Sequence, residues 1–194
     1  MKFLFIPLIL LSSFAYSDEA GNGEYFVDPV DTRLTADLPE YVRKWYLNVT
    51  SPGSCVQCSL GMCGADQNVP EAATLLWDTE YGSKVWHGTG PSRAINYCRE
   101  RKIKVWSITG DETYAWMKWA ISTGRPCAIG AGNSHFQTLV GYDDKTKVWY
   151  VCNNNSPTRI DAYSDAAFRR LHYASGYWIM ILKNPPHPLR PEYN

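Results

Sequence analysis

The distribution of β-forming segments along the chain constrains its fold more than any other feature. Residues 126–131, 136–142, 148–152 and 177–182 are β-branched or aromatic runs separated by turns, and all four lie in the C-terminal half. Such runs are typical of strands in an antiparallel sheet. The preceding half instead carries apolar residues at helical spacing, beginning near Cys55. Helices followed by strands predict an α+β fold, with an N-terminal helical part packed on a C-terminal antiparallel sheet.

Shorter patterns add detail to this arrangement. A proline in the first turn predicts a helix over residues 69–77. We also expect helices over residues 91–99 and 112–122, a strand over residues 104–108, and a last helix capped by Ser164 and ending near Leu171.

The N-terminal seventeen residues have the features of a secretory signal peptide. Lys2 is their only charge, residues 3–11 are apolar, and Ala15-Tyr16-Ser17 supplies small residues at the end. The apolar run is too short to span a bilayer. We therefore expect a secreted or periplasmic protein that is not stably inserted in the membrane after the signal peptide (residues 1–17) is cleaved.

The rest of the chain divides into three parts. Residues 18–47 are predicted to be an N-terminal surface arm, residues 48–183 the folded domain, and residues 184–194 an extended proline-rich tail.

Charge and cysteine content restrict the possible functions. The chain has 19 basic and 19 acidic side chains without a basic cluster, so it lacks the electrostatic character of a nucleic-acid-binding protein. An exported protein with six cysteines could form disulfides. If one cysteine serves as a reactive thiol, at most two bridges can form.

A turn at Pro52-Gly53 delivers a cysteine to the start of the first major helix. The positive end of a helix dipole stabilises a thiolate, and the first N–H groups of a helix have no partner within it. With Ser54 as the N-cap, its carbonyl accepts from the Cys58 N–H, while the Cys55 N–H stays available to an oxyanion. Cys55 is therefore the preferred nucleophile, and Cys58 is the alternative.

A nucleophilic cysteine needs a base, and His135 has the most suitable context of the four histidines. It follows a glycine-rich loop and opens a predicted strand, whereas His87 lies in a loop, and His172 and His187 are expected to be solvated. The next strand ends at Asn153, whose amide oxygen could accept the imidazole N–H and orient the ring. The asparagines at 153–155 could equally form a turn.

The order of Cys55, His135 and Asn153 resembles that of the papain-like cysteine peptidase superfamily. The stretch Ser59-Leu60-Gly61-Met62 after Cys55, the strand from His135 to residue 144, and the strand ending at Asn153 resemble its compact, double-glycine-peptidase-like branch. This resemblance implies a papain-like fold and hydrolysis of peptide or related amide bonds in a peptide or protein substrate. It implies a Cys-His-Asn triad, a thioester acyl-enzyme, and no cofactor or metal.

The sequence departs from this pattern at the position of one glutamine, whether Cys55 or Cys58 is taken as the nucleophile. Papain relatives carry an oxyanion-binding glutamine six residues before the nucleophile, where this chain has Val49, or Pro52 if Cys58 is the nucleophile. Asn48, Gln57 or backbone N–H groups would have to replace it. His135 follows Cys55 by 80 residues, fewer than the roughly 130–150 of papain itself, which favours the compact branch.

Other interpretations of these residues remain open. The chain could be a non-catalytic binding protein on the same fold, or a cell-wall amidase or acyltransferase. Cys55 and Cys58 could form a redox pair, and with Cys63 and His135 they could bind zinc, although a second C-x-x-C motif is missing. The remaining cysteines could simply pack in the core.

Two tripeptides match the N-glycosylation signal. They begin at Asn48 and Asn154, and they have meaning only in a eukaryotic or viral protein.

Overall fold

The computed structural model describes residues 38–48, 54–80 and 90–184. The predicted signal peptide, most of the predicted arm, almost all of the proline-rich tail, His87 and His187 lie outside these residues. The helices are α1 (Glu40–Trp45), α2 (Cys55–Asp66), α3 (Pro70–Ala73), α4 (Leu75–Glu80), α5 (Pro91–Glu100), α6 (Thr113–Ser122) and α7 (Asp165–Tyr173).

Six strands form one antiparallel sheet. They are β1 (Val105–Thr109), β2 (Cys127–Ala131), β3 (His135–Asp143), β4 (Val148–Cys152), β5 (Ile160–Ser164) and β6 (Trp178–Leu182), in the order β1-β6-β2-β3-β4-β5. The predicted antiparallel sheet and α+β class are confirmed. Helix α1 and strand β5 were not predicted, and the helix expected over residues 69–77 is divided into α3 and α4.

Helix α2 is the central helix of the fold. Every residue from Cys55 to Gly64 is buried, so the helix has no solvent-facing stripe. Leu60 packs with Phe136 on one face of the sheet, and Met62 packs with Val140 farther along the same face. The opposite face of the sheet is covered by α6 and α7, so the sheet lies between two helical layers.

Close packing around α2 predicts the effect of a small substitution. A Cβ at Gly64 would clash with the backbone of Ala72 and Ala73, which cannot move without shifting α3. We expect Gly64→Ala to lower the free energy of unfolding by about 1–3 kcal/mol in chemical denaturation. At Gly61 the added Cβ would meet the Tyr46 ring, which is buried and held by the hydrogen bond from its hydroxyl to the Ala73 carbonyl, so Gly61→Ala should also be destabilising. Wild-type stability in Gly64→Ala would contradict this packing.

The prediction that His172 is solvated was wrong. The last turn of α7 directs the side chain into the core, where it is fully buried. Its Nδ1 donates to the Gly130 carbonyl at 2.9 Å, and Nε2 lies 3.3 Å from the Thr113 hydroxyl. Burial lowers the pKa of His172, because the charged imidazolium would lose its hydration.

The buried imidazole predicts acid sensitivity. As pH falls below the ordinary histidine value of 6.5, the unfolded chain takes up a proton at His172 that the folded chain resists. Stability is therefore present above that pH and is lost below it, by up to about 1.4 kcal/mol per pH unit. In denaturation at pH 7.5 and pH 5, His172→Gln should lose less stability on acidification than the wild type. An equal loss would contradict the prediction.

Candidate functional site

Helix α2 begins at the predicted position. Ser54 is its N-cap residue, and the Cys58 N–H donates to the Ser54 carbonyl at 2.8 Å. The Ser54 side chain does not cap the helix, however. Its hydroxyl donates instead to Asn48 Oδ1 at 3.0 Å. The first N–H groups of α2 are therefore not occupied by the Ser54 side chain.

The Cys55 thiol lies at the junction of α2 and β3. The residue is 7% exposed, and this burial raises the pKa of its thiol above the ordinary value. Interactions with the backbone at Phe136, Val56 and Cys55 itself lower the pKa and so act in the opposite direction. Because burial outweighs them, the thiol stays protonated at neutral pH until a base removes its proton.

Cys58 occupies an apolar environment. It is fully buried one turn further into α2, with its sulfur 4.0 Å from the Ser54 hydroxyl. The side chains of its cluster are Leu38, Tyr46, Met62, Leu76, Val140 and Cys152. This environment favours Cys55 over Cys58 as the reactive thiol. All six cysteines lie within the described residues, and none forms a disulfide.

Strands β3 and β4 bring His135 and Asn153 together. Thr138 pairs with Cys152, so the start of β3 lies beside the residue that follows β4. His135 Nε2 is 2.9 Å from Asn153 Oδ1. An amide oxygen can only accept, so this bond places a proton on Nε2, and in the neutral ring Nδ1 is then the nitrogen that can act as a base.

The Cys55 thiol and the His135 imidazole are carried by α2 and β3 and are not hydrogen-bonded to each other within the described residues. The Asn154 amide joins the carbonyl of Cys55 to that of Phe136, the residue after His135. Within residues 38–48, 54–80 and 90–184, no hydrogen bond joins the Cys55 sulfur to the His135 ring. Proton transfer would require the two groups to approach, as commonly happens when a substrate binds.

Asn154 was not predicted to be a site residue, yet its side chain lies between Cys55 of α2 and Phe136 of β3. The side chain is fully buried, and its Nδ2 contacts two carbonyl oxygens, of Cys55 at 3.0 Å and of Phe136 at 2.9 Å. It also donates to the Ser59 hydroxyl at 3.0 Å. Three consecutive asparagines gave no basis for distinguishing this position from its neighbours.

The neighbouring asparagines extend these contacts. Asn155 Oδ1 accepts from Asn48 Nδ2 at 2.8 Å, and the Asn154 carbonyl accepts from the Asn48 N–H at 2.8 Å. Asn48 is thus held beside the start of α2. In the folded chain, Asn154 is too buried to accept a glycan at its tripeptide signal.

The remaining candidates for oxyanion donors and for metal ligands lie partly inside and partly outside the described residues. Val49 and Pro52, which occupy the position of the papain glutamine, lie outside the described residues. Gln57 is buried in the first turn of α2. Within the described ranges, no group of three or more His, Cys, Asp or Glu side chains could hold a metal ion.

Among the described residues, no helix has both the length and the apolar character needed to cross a bilayer.

Comparison with known proteins gives one distant structural similarity. No protein-family model matches the chain, and no curated protein sequence matches it. A crystal structure of a double glycine motif protease from an AMS/PCAT transporter, in complex with the leader peptide, aligns over 80% of this chain and 96% of that chain. The TM-score is 0.49 and the sequence identity 18%. Because the similarity is so distant, the function must be inferred from the site itself.

Proposed function

We propose that this chain is a papain-like cysteine peptidase that hydrolyses peptide or related amide bonds. The hydrogen bond between His135 Nε2 and Asn153 Oδ1 carries the proposal, because it leaves Nδ1 as a base at the start of β3, the strand that packs with Cys55. The position of Cys55 at the first residue of α2 supports the same assignment.

In the proposed reaction, Cys55 Sγ attacks the substrate carbonyl carbon while its proton passes to His135 Nδ1. The resulting oxyanion accepts a hydrogen bond from the Cys55 N–H, which has no carbonyl partner within α2. When the tetrahedral intermediate collapses, His135 protonates the leaving amine and a thioester remains on Cys55. Water then attacks the thioester with His135 as base, which releases the carboxylic acid and restores the thiol. Asn153 holds the ring throughout.

The proposed substrate is a peptide or protein in an extracytoplasmic compartment. The signal-peptide pattern of residues 1–17 supports export. The near-neutral charge and the lack of a basic cluster favour a peptide over a nucleic acid.

Two observations favour a second candidate, a non-catalytic peptide-binding protein on the same fold. Burial raises the pKa of the Cys55 thiol, and no hydrogen bond to His135 compensates for it within the described residues. Such a protein would bind a peptide at the start of α2 without cleaving it.

Cleavage profiling distinguishes these candidates. The purified chain would be incubated with a peptide library and, in parallel, with peptidoglycan fragments, and new amino termini would be identified by mass spectrometry. The peptidase assignment predicts cleavage of library peptides that disappears in Cys55→Ala. Cleavage of peptidoglycan fragments alone would favour the amidase alternative. Binding without cleavage of either substrate would favour the non-catalytic protein.

A further inference from the structure

We infer that Asn154 is a positioning residue that sets the separation between the Cys55 thiol and the His135 base. This role rests on the proposed function and adds to it a residue that does not itself contact the reacting atoms. The side chain joins the two elements that carry the nucleophile and the base, α2 and β3, through a single amide group.

Asn154 makes its hydrogen bonds to Cys55 and to the neighbour of His135 in β3. On α2, its Nδ2 donates to the carbonyl of Cys55 itself. On β3, it donates to the carbonyl of Phe136, the residue next to His135. The preceding residue, Asn153, bonds directly to the His135 ring. A shift of Asn154 would therefore move the nucleophile relative to the base.

The hydrogen bonds of Asn154 are concentrated on its amide nitrogen. Oδ1 is buried and has no hydrogen-bond partner among the described residues. The side chain therefore links α2 to β3 through Nδ2, and a change at Nδ2 removes its bonds to Cys55, Ser59 and Phe136 together.

The hydrogen bonds made by residue 154 require an amide side chain rather than a carboxylate. Nδ2 donates toward two carbonyl oxygens, one on α2 and one on β3, and only a donor group can lie against both. Aspartate has the same shape but lacks the two amide hydrogens: when ionised it places a negative oxygen against both carbonyls, and when protonated it can donate to only one of them. Asn154→Asp should therefore displace α2 from β3 while changing side-chain volume very little.

A double-mutant experiment on the whole chain tests this role. The rate of iodoacetamide alkylation at Cys55 is measured at pH 7 by peptide mapping, with and without His135→Ala. In the wild type, loss of His135 should slow alkylation by about 10-fold or more, because the buried thiol then lacks its base. In Asn154→Asp and Asn154→Ser, the same His135→Ala substitution should change the rate by less than about 2-fold.

Gly64→Ala is the matched control. It should be destabilised by packing at the far end of α2 yet should keep the full dependence of Cys55 alkylation on His135. Near-ultraviolet circular dichroism checks that each variant is folded.

Several outcomes would overturn the role of Asn154. They are a wild-type dependence on His135 in a folded Asn154 variant, loss of that dependence in Gly64→Ala, and unfolding of both Asn154 variants, which would assign the side chain to stability alone. Peptide hydrolysis is measured separately. If Cys55 reactivity depends on both His135 and Asn154 but no peptide is cleaved, the proposed function fails while the positioning role stands.

Discussion

Replacement of Cys55 by alanine is expected to lower kcat/KM for peptide hydrolysis by about 10³-fold or more, because no other thiol in the site can form the thioester. Cys55 combines the first-turn N–H of α2 with a sulfur beside β3. Steady-state hydrolysis of a fluorogenic peptide, with substrates chosen from the cleavage profile, measures the effect.

Cys58→Ala provides the matched control on the same helix. Its side chain lies in an apolar cluster, so its loss should cost about 1 kcal/mol of stability and leave kcat/KM within about 3-fold of the wild-type value. If activity were lost in Cys58→Ala and retained in Cys55→Ala, the nucleophile would be Cys58.

Replacement of His135 by alanine should reduce kcat by about 10²–10⁴-fold at neutral pH and change the pH profile. Burial raises the pKa of the Cys55 thiol, so without a base the thiolate forms only in the alkaline range. The residual activity of the variant should keep rising with pH through that range, whereas wild-type activity should reach its plateau at lower pH. Hydrolysis rates measured across pH 5 to about 10 would show the difference.

Asn133→Ala tests whether the effect is specific to the imidazole. Asn133 is exposed in the loop just before β3, and its replacement should leave both the rate and the pH profile unchanged. If the wild type and His135→Ala had profiles of the same shape, His135 would not be the base.

The elements that carry the chemistry were the easiest to predict. The turn before Cys55 and the helical spacing after it gave the start of α2, and the β-branched run after the glycine-rich loop gave β3 beginning at His135. Local sequence was sufficient at these places because backbone preference and burial pattern agree.

The remaining features depend on contacts distant in sequence. Helix α1 is anchored by Arg43, whose Nε donates to the Pro157 carbonyl at 2.8 Å, and the helix has no buried residue that would create an apolar stripe. Strand β5 is an edge strand without a fully buried residue and is held by pairing with β4. The buried positions of His172 and Asn154 are set by partners 42 and 99 residues away. Composition and periodicity carry no signal for such partners.

Trapping of the acyl-enzyme would show whether Cys55 forms the thioester and whether His135 acts as its base. The chain would be mixed briefly with an activated peptide ester, quenched in acid, and digested for mass spectrometric mapping of the acylated residue. We expect one acyl group per chain, attached as a thioester to Cys55 and absent from Cys55→Ala, with its formation slowed strongly in His135→Ala. An acyl group on another residue, or acylation of Cys55 at the same rate without His135, would contradict the proposed site.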